Sequence, residues 1–156
     1  MKLRSWQAEA FPLWWDKQQG IIKVVTGGGK TFFAIHCIKE YLKASPKKDI
    51  LIVVPSIALL DQWNEALLEN NVNQEIVLNG GGEKVDKSAK IIVTTIDSLK
   101  NILGIVNAEN SLLIVDECHK IGTEKRGDML NNNWSATLGL SATCLLYTSP
   151  SPRDGS

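Results

Sequence analysis

Two short runs of this sequence carry residue types suited to a phosphate chain and its metal. The first is Thr26-Gly27-Gly28-Gly29-Lys30-Thr31. Consecutive glycines let backbone N–H groups converge on a phosphate without side-chain clash, and a helix that starts just after them adds its positive end. Lys30 can reach the outer phosphates, and the Thr31 hydroxyl suits magnesium. The general form of this loop asks for glycine where Val24 stands, so the match is a relaxed one. The competing reading is a glycine-rich turn before an ordinary helix, but an apolar strand-like run stands directly before this one.

The second run is Leu112-Leu113-Ile114-Val115-Asp116-Glu117-Cys118-His119, an apolar stretch that ends abruptly in two carboxylates and a histidine. Ligand chemistry in an open α/β sheet gathers at the carboxyl ends of strands. There Asp116 can hold the magnesium that accompanies ATP, and Glu117 can orient and deprotonate an attacking water. Cys118 reads as a packing residue. A solvated strand end and a surface histidine would explain either half alone; the pair downstream of a phosphate loop favours nucleotide chemistry.

These residues need a scaffold that brings them together. Runs at 21–25, 50–54, 75–78, 91–94 and 112–115 are rich in β-branched and aliphatic residues and nearly continuous in hydrophobicity, as parallel strands covered on both faces are. A sixth run, 136–140, is weaker. Helical spacing places Ala34, Cys37, Ile38 and Tyr41 on one face of 31–41, and Leu59, Leu60, Trp63, Ala66 and Leu67 on one face of 59–69. Strands alternating with helices predict a three-layer α/β domain with a mainly parallel central sheet. A helix is expected at 5–18, kinked or split by Pro12. The Gly80-Gly81-Gly82 and Asn131-Asn132-Asn133 runs read as loops, and no internal repeat is present.

At 156 residues, 44% hydrophobic and 22% charged, the chain suits one domain. Its 17 basic residues equal its 17 acidic ones, so any nucleic-acid contact must be local rather than a bulk field. The three cysteines form no Cys-x-x-Cys pair, which argues against a disulfide framework or structural zinc. Neither a signal peptide nor a membrane-length apolar run is present, so a soluble, cytoplasmic protein with no membrane partner is expected.

Together these motifs resemble superfamily-2 helicases of the DEAD/H group, along Leu3 to Thr143. The resemblance implies a RecA-like, P-loop NTPase fold, ATP and Mg2+ as cofactors, and nucleic acid as partner. Leu3-Arg4-Ser5-Trp6-Gln7-Ala8-Glu9-Ala10 is similar to the family's adenine-recognising segment, which gives Gln7 the base edge with Arg4 nearby. Val53-Val54-Pro55-Ser56 and Val93-Thr94-Thr95 are similar to segments that touch the nucleic-acid backbone. Pro55, Ser56, Thr94 and Thr95 are therefore contact candidates, and Ser56 and Thr95 would serve equally as helix N-caps. Leu140-Ser141-Ala142-Thr143 is similar to the segment that couples nucleotide state to strand movement, with His119 as the expected neighbour of Ser141 and Thr143. The stretch from Pro55 to Trp63 and the triple glycine most resemble the branch of restriction-enzyme motor subunits and repair helicases. This branch favours DNA over RNA, though Cys118 sets the acidic box apart only from strict DEAD-box RNA helicases.

Family members continue into a second RecA-like domain, in cis, that carries arginine fingers. Residues 1–143 are read as the first domain, and that second one is expected beyond this chain. Residues 144–156 resemble the translation of a sequencing adapter and read as non-native, although their Pro/Ser content equally fits a disordered tail. Turnover by the chain alone is expected to be very slow, because an arginine finger contributes roughly three to five powers of ten in rate. Two rivals stand beside the motor. A non-hydrolysing nucleotide-binding scaffold would leave Lys30 and Glu117 without a catalytic task, and a small-molecule phosphotransferase has no use for Gln7 or the Ser-Ala-Thr segment.

Overall fold

The computed structural model describes residues 3–24, 29–72, 74–80 and 89–142. Thr26, Gly27 and Gly28 of the phosphate loop, Gly81 and Gly82, Thr143 and the expected tail at 144–156 lie outside them. Six strands, β1 (Ile21–Val24), β2 (Asp49–Val54), β3 (Ile76–Asn79), β4 (Ile91–Thr95), β5 (Ser111–Val115) and β6 (Ala136–Ala142), form one sheet in the order β1-β6-β5-β2-β4-β3. Every neighbouring pair is parallel. All six expected strands are present, and the weakest of them, β6, is the longest and lies between β1 and β5.

Continuous hydrophobicity in the central strands reflects burial on both faces. Ile50, Ile52 and Val54 of β2 point to one side, where the register aligns Ile52 with Val93 and Ile114, and Ile114 with Leu138. Leu51 and Val53 point to the other, beside Ile92, Leu113 and Val115. Each fully buried aliphatic side chain of this kind contributes roughly 1.5–3 kcal/mol, so these rows outweigh any single cap or surface ion pair.

Three helices cover the first face: α1 (Ser5–Lys17), α2 (Lys30–Ala44) and α3 (Ile57–Glu69). They bury Trp14, Phe33, Ile38, Leu60, Trp63 and Leu67 against the sheet. The Trp14 indole donates to Thr137 O at 2.8 Å and the Tyr41 hydroxyl to Ser135 Oγ at 2.7 Å, so α1 and α2 are each keyed to β6 or the residue before it. Helix α1 runs through Pro12 as one element, so the proline does not split it in two. The carbonyl that proline leaves without a partner is that of Ala8, an exposed residue, where water can serve it.

The opposite face is covered by shorter pieces: 3-10 turns at Leu99–Asn101 and Ala108–Asn110, and a fourth helix, α4 (Thr123–Leu130). Helix α4 has no periodic stripe to betray it, since Met129 is its one buried anchor among the described side chains. No helix of the described residues is long and apolar enough to cross a membrane.

Candidate functional site

The site forms at the carboxyl end of β5. The Asp116 N–H donates to Val53 O at 2.9 Å, so ladder bonding continues one residue past the strand. Strand alternation therefore aims Asp116 at the α1–α3 side, together with Leu112 and Ile114. The next side chain of an extended strand would turn to the opposite face. Glu117 instead adopts a left-handed conformation, φ 52° and ψ 46°, which ends the strand and swings its carboxylate round beside that of Asp116. A non-glycine residue in this region costs roughly 1–2 kcal/mol, and the interactions of the turned carboxylate must offset that strain.

What both carboxylates meet is Lys30, the first residue of α2. Its Nζ lies 2.7 Å from Glu117 Oε1 and 3.1 Å from Asp116 Oδ1. The lysine side chain is only 9% exposed, so this ion pair is shielded from bulk water. Gly29 precedes it at φ 89°, and a Cβ there would stand 2.8 Å from Gln7 Nε2. Glycine is thus required twice over, by backbone conformation and by space.

Burial pulls the Lys30 pKa down, but the Glu117 and Asp116 carboxylates together outweigh it and hold the ammonium above its ordinary value. Burial likewise pushes the Glu117 carboxyl up, and the Lys30 hydrogen bond and charge, helped by His119 and Lys120, bring it below the ordinary range. Both groups are charged at neutral pH. Asp116 Oδ1 and Glu117 Oε1 are buried, and both face the Lys30 ammonium. Two such hard oxygen donors at a phosphate-loop lysine fit a magnesium ion, which takes oxygen ligands and keeps several waters.

Around this centre the structure gathers other residues singled out from the sequence. Ser141, on β6, lies 2.8 Å from His119 Nδ1 through its hydroxyl, so the expected His119–Ser141 neighbourhood is present; His119 Nδ1 is also 3.9 Å from Glu117 Oε1. Gln7 is 1% exposed, accepts from the Arg4 N–H at 2.6 Å and donates to Gly29 O at 2.8 Å. It joins α1 to the phosphate loop through both ends of its amide. Arg4 is exposed beside it, and Thr31 follows Lys30, half-buried in the first turn of α2.

The two backbone-contact segments differ. Pro55 is half-buried and Ser56 exposed, with Ser56 Oγ capping α3 by accepting the Leu59 N–H at 3.3 Å. Thr94 and Thr95 are buried. Thr94 Oγ1 bonds Asn79 and the Thr95 carbonyl, and Thr95 Oγ1 engages the hydroxyl and N–H of Ser98. Their hydroxyls set a turn and are not presented outward. One neighbour of the site went unread in the sequence: the Trp63 indole, which donates to Asp116 Oδ2 at 2.9 Å. In the sequence Trp63 belongs to an apolar stripe, and no local signal distinguishes a donor there from another core residue.

A wholly parallel sheet between helices, with a lysine at a helix start facing carboxylates at a nearby strand end, defines a P-loop NTPase domain of RecA-like type. The chain belongs to the family described as Type III restriction enzyme, res subunit, which it matches over residues 1–146, and is a superfamily-2 helicase N-terminal RecA-like domain. It is 35% identical over 144 residues to the DNA 3'-5' translocase XPB2 of Sulfurisphaera tokodaii, covering 92% of this chain and 31% of that protein. Among solved structures it resembles the SWI2/SNF2 ATPase core of Sulfolobus solfataricus in complex with dsDNA, with TM-score 0.77 and 20% identity over 92% of this chain and 32% of that one. It also resembles the UvsW helicase of bacteriophage T4, with TM-score 0.72 and 21% identity over 100% and 55% of the two chains. The chain thus spans about a third of the length of the curated relative, 31%.

Proposed function

We propose that this chain is the ATP-binding half of a nucleic-acid-dependent ATPase motor that acts on DNA in the cytoplasm. The observation that carries the reading is the convergence of Lys30 with Asp116 and Glu117 at the carboxyl end of β5. The Lys30 ammonium would exchange its carboxylate partners for outer phosphate oxygens when nucleotide enters, and the loop residues Thr26, Gly27, Gly28 and Gly29 would offer backbone N–H groups to the remaining phosphates. Asp116 and the Thr31 hydroxyl would hold magnesium, which would neutralise charge on the phosphates. Glu117, released from Lys30, orients water and takes its proton. Gln7 and Arg4 face the base.

His119 and Ser141, with Thr143, relay the state of Glu117 to β6 and onward to a second RecA-like domain in cis. Ser56 and Pro55 meet the DNA backbone at the exposed start of α3, while Thr94 and Thr95 hold the neighbouring turn in shape. The DNA assignment is supported by the translocase relative and by the likeness to a double-stranded-DNA-bound ATPase core.

The deciding experiment is Glu117→Gln in the full-length parent. Hydrolysis is expected to be abolished and nucleotide binding retained, whereas unchanged turnover would favour a non-hydrolysing scaffold. The 156-residue chain alone is expected to bind Mg-ATP weakly and to turn it over very slowly; brisk DNA-stimulated turnover would contradict this.

A further inference from the structure

The two oxygens of Asp116 have different partners. Oδ1 faces the Lys30 ammonium at 3.1 Å, and Oδ2 accepts the Trp63 indole N–H at 2.9 Å. Both residues are 1% exposed, so no water competes for that bond. The indole can only donate, so Oδ2 is pinned as an acceptor while Oδ1 is left for a cation. Without the pin an aspartate carboxylate rotates through a broad, roughly two-fold range of its terminal torsion and would present either oxygen. Trp63 reaches this position from α3, the helix capped by the exposed Ser56. A purely apolar residue would fill the same space without carrying an N–H into the core. The buried indole therefore supplies something packing does not require.

We propose that Trp63 is a positioning residue for Asp116, holding Oδ2 through its indole N–H so that Oδ1 is aimed at the lysine and at the magnesium of the bound nucleotide. The inference rests on the motor reading above. It goes further by tying the metal-facing carboxylate to α3, so that displacement of the helix that Ser56 caps is felt at Oδ1.

The test compares ADP affinity of the whole chain, with and without Mg2+, in wild type and Trp63→Phe. Partners that orient a metal ligand typically change metal affinity ten- to a hundredfold. Trp63→Phe is accordingly expected to keep its metal-free ADP affinity within about twofold and to lose roughly tenfold of the gain that Mg2+ brings. A merely structural defect would lower both together. A second readout follows the wild type directly: the Trp63 indole N–H resonance of the ADP-loaded protein should shift when Mg2+ is added, with Asp116→Ala as the control in which it stays fixed. An undiminished Mg2+ gain in Trp63→Phe, or an indole resonance indifferent to Mg2+ in a wild type that does gain, overturns the positioning role alone. A wild type whose ADP affinity gains nothing from Mg2+ overturns the motor reading and this assignment with it.

Discussion

The Lys30 ammonium and the Glu117 carboxylate meet at 2.7 Å, joining the first residue of α2 to the turn that ends β5. Because Asp116 shares the same cation, one positive charge answers two negative ones in a largely shielded place. The excess negative charge is of the kind a divalent cation would answer, and the lysine offsets part of it.

Replacing Lys30 with methionine keeps the stem and removes the charge. Breaking a buried pair by deleting one partner costs about 3–5 kcal/mol, and the partial exposure of Glu117 places the expected loss toward the lower end, about 3 kcal/mol. Urea unfolding of Lys30→Met measures it, and a loss under about 0.5 kcal/mol, the scale of an ordinary surface substitution, would show that the pair does not hold the fold. Nucleotide affinity should fall with it.

The pair also sets a pH window. Glu117 has a folded pKa below its ordinary value of about 4.3, so its contribution is fully present above that value and is lost as pH falls through the depressed folded pKa. Lys30 has a raised folded pKa, so its contribution is complete below about 10.4 and is lost as pH rises through the raised value. Urea midpoints across pH should therefore show a plateau between these limits with a fall on each side. In Lys30→Met the acid limb should flatten; an acid limb identical to wild type would assign it to other carboxylates.

Gly29→Ala combines a left-handed backbone with a Cβ set 2.8 Å from Gln7 Nε2. The backbone alone costs roughly 1–2 kcal/mol. Relief of the clash must move the Gln7 amide, so this variant should lose both stability and any preference for ATP over GTP. Competition binding of the two nucleotides checks the second effect, and a preserved preference would separate Gln7 from base recognition.

Ser141→Ala removes the hydroxyl that meets His119 Nδ1 at 2.8 Å. The His119 side chain is 45% exposed, so the stability cost should sit near the lower end of a hydrogen bond's net value, about 0.5 kcal/mol. In the full-length parent the larger effect should fall on DNA stimulation of ATPase activity, with basal turnover preserved. Equal loss of both rates would place Ser141 in the chemical step instead.

The central strands were legible because burial on both faces writes an uninterrupted apolar run, as in Ile50 to Val54, that needs no knowledge of its neighbours. The loop glycines, Lys30 and the acidic pair were legible for a related reason. Each needs a fixed residue type at a fixed step from a strand end, and such steps survive as letters. Helix α4 was not, since one buried methionine makes no period.

Sequence alone thus determined the architecture, the residue types at the site and the family they resemble. Only the tertiary structure decided how the carboxylates are aimed. The left-handed turn that brings Glu117 to Lys30, the Trp63 indole on Asp116 Oδ2 and the Thr94 hydroxyl on Asn79 depend on elements distant in the chain being packed into contact. A hydrogen bond between such elements leaves no periodic trace in either one, because its cause is the distance between them and not the order of residues within them.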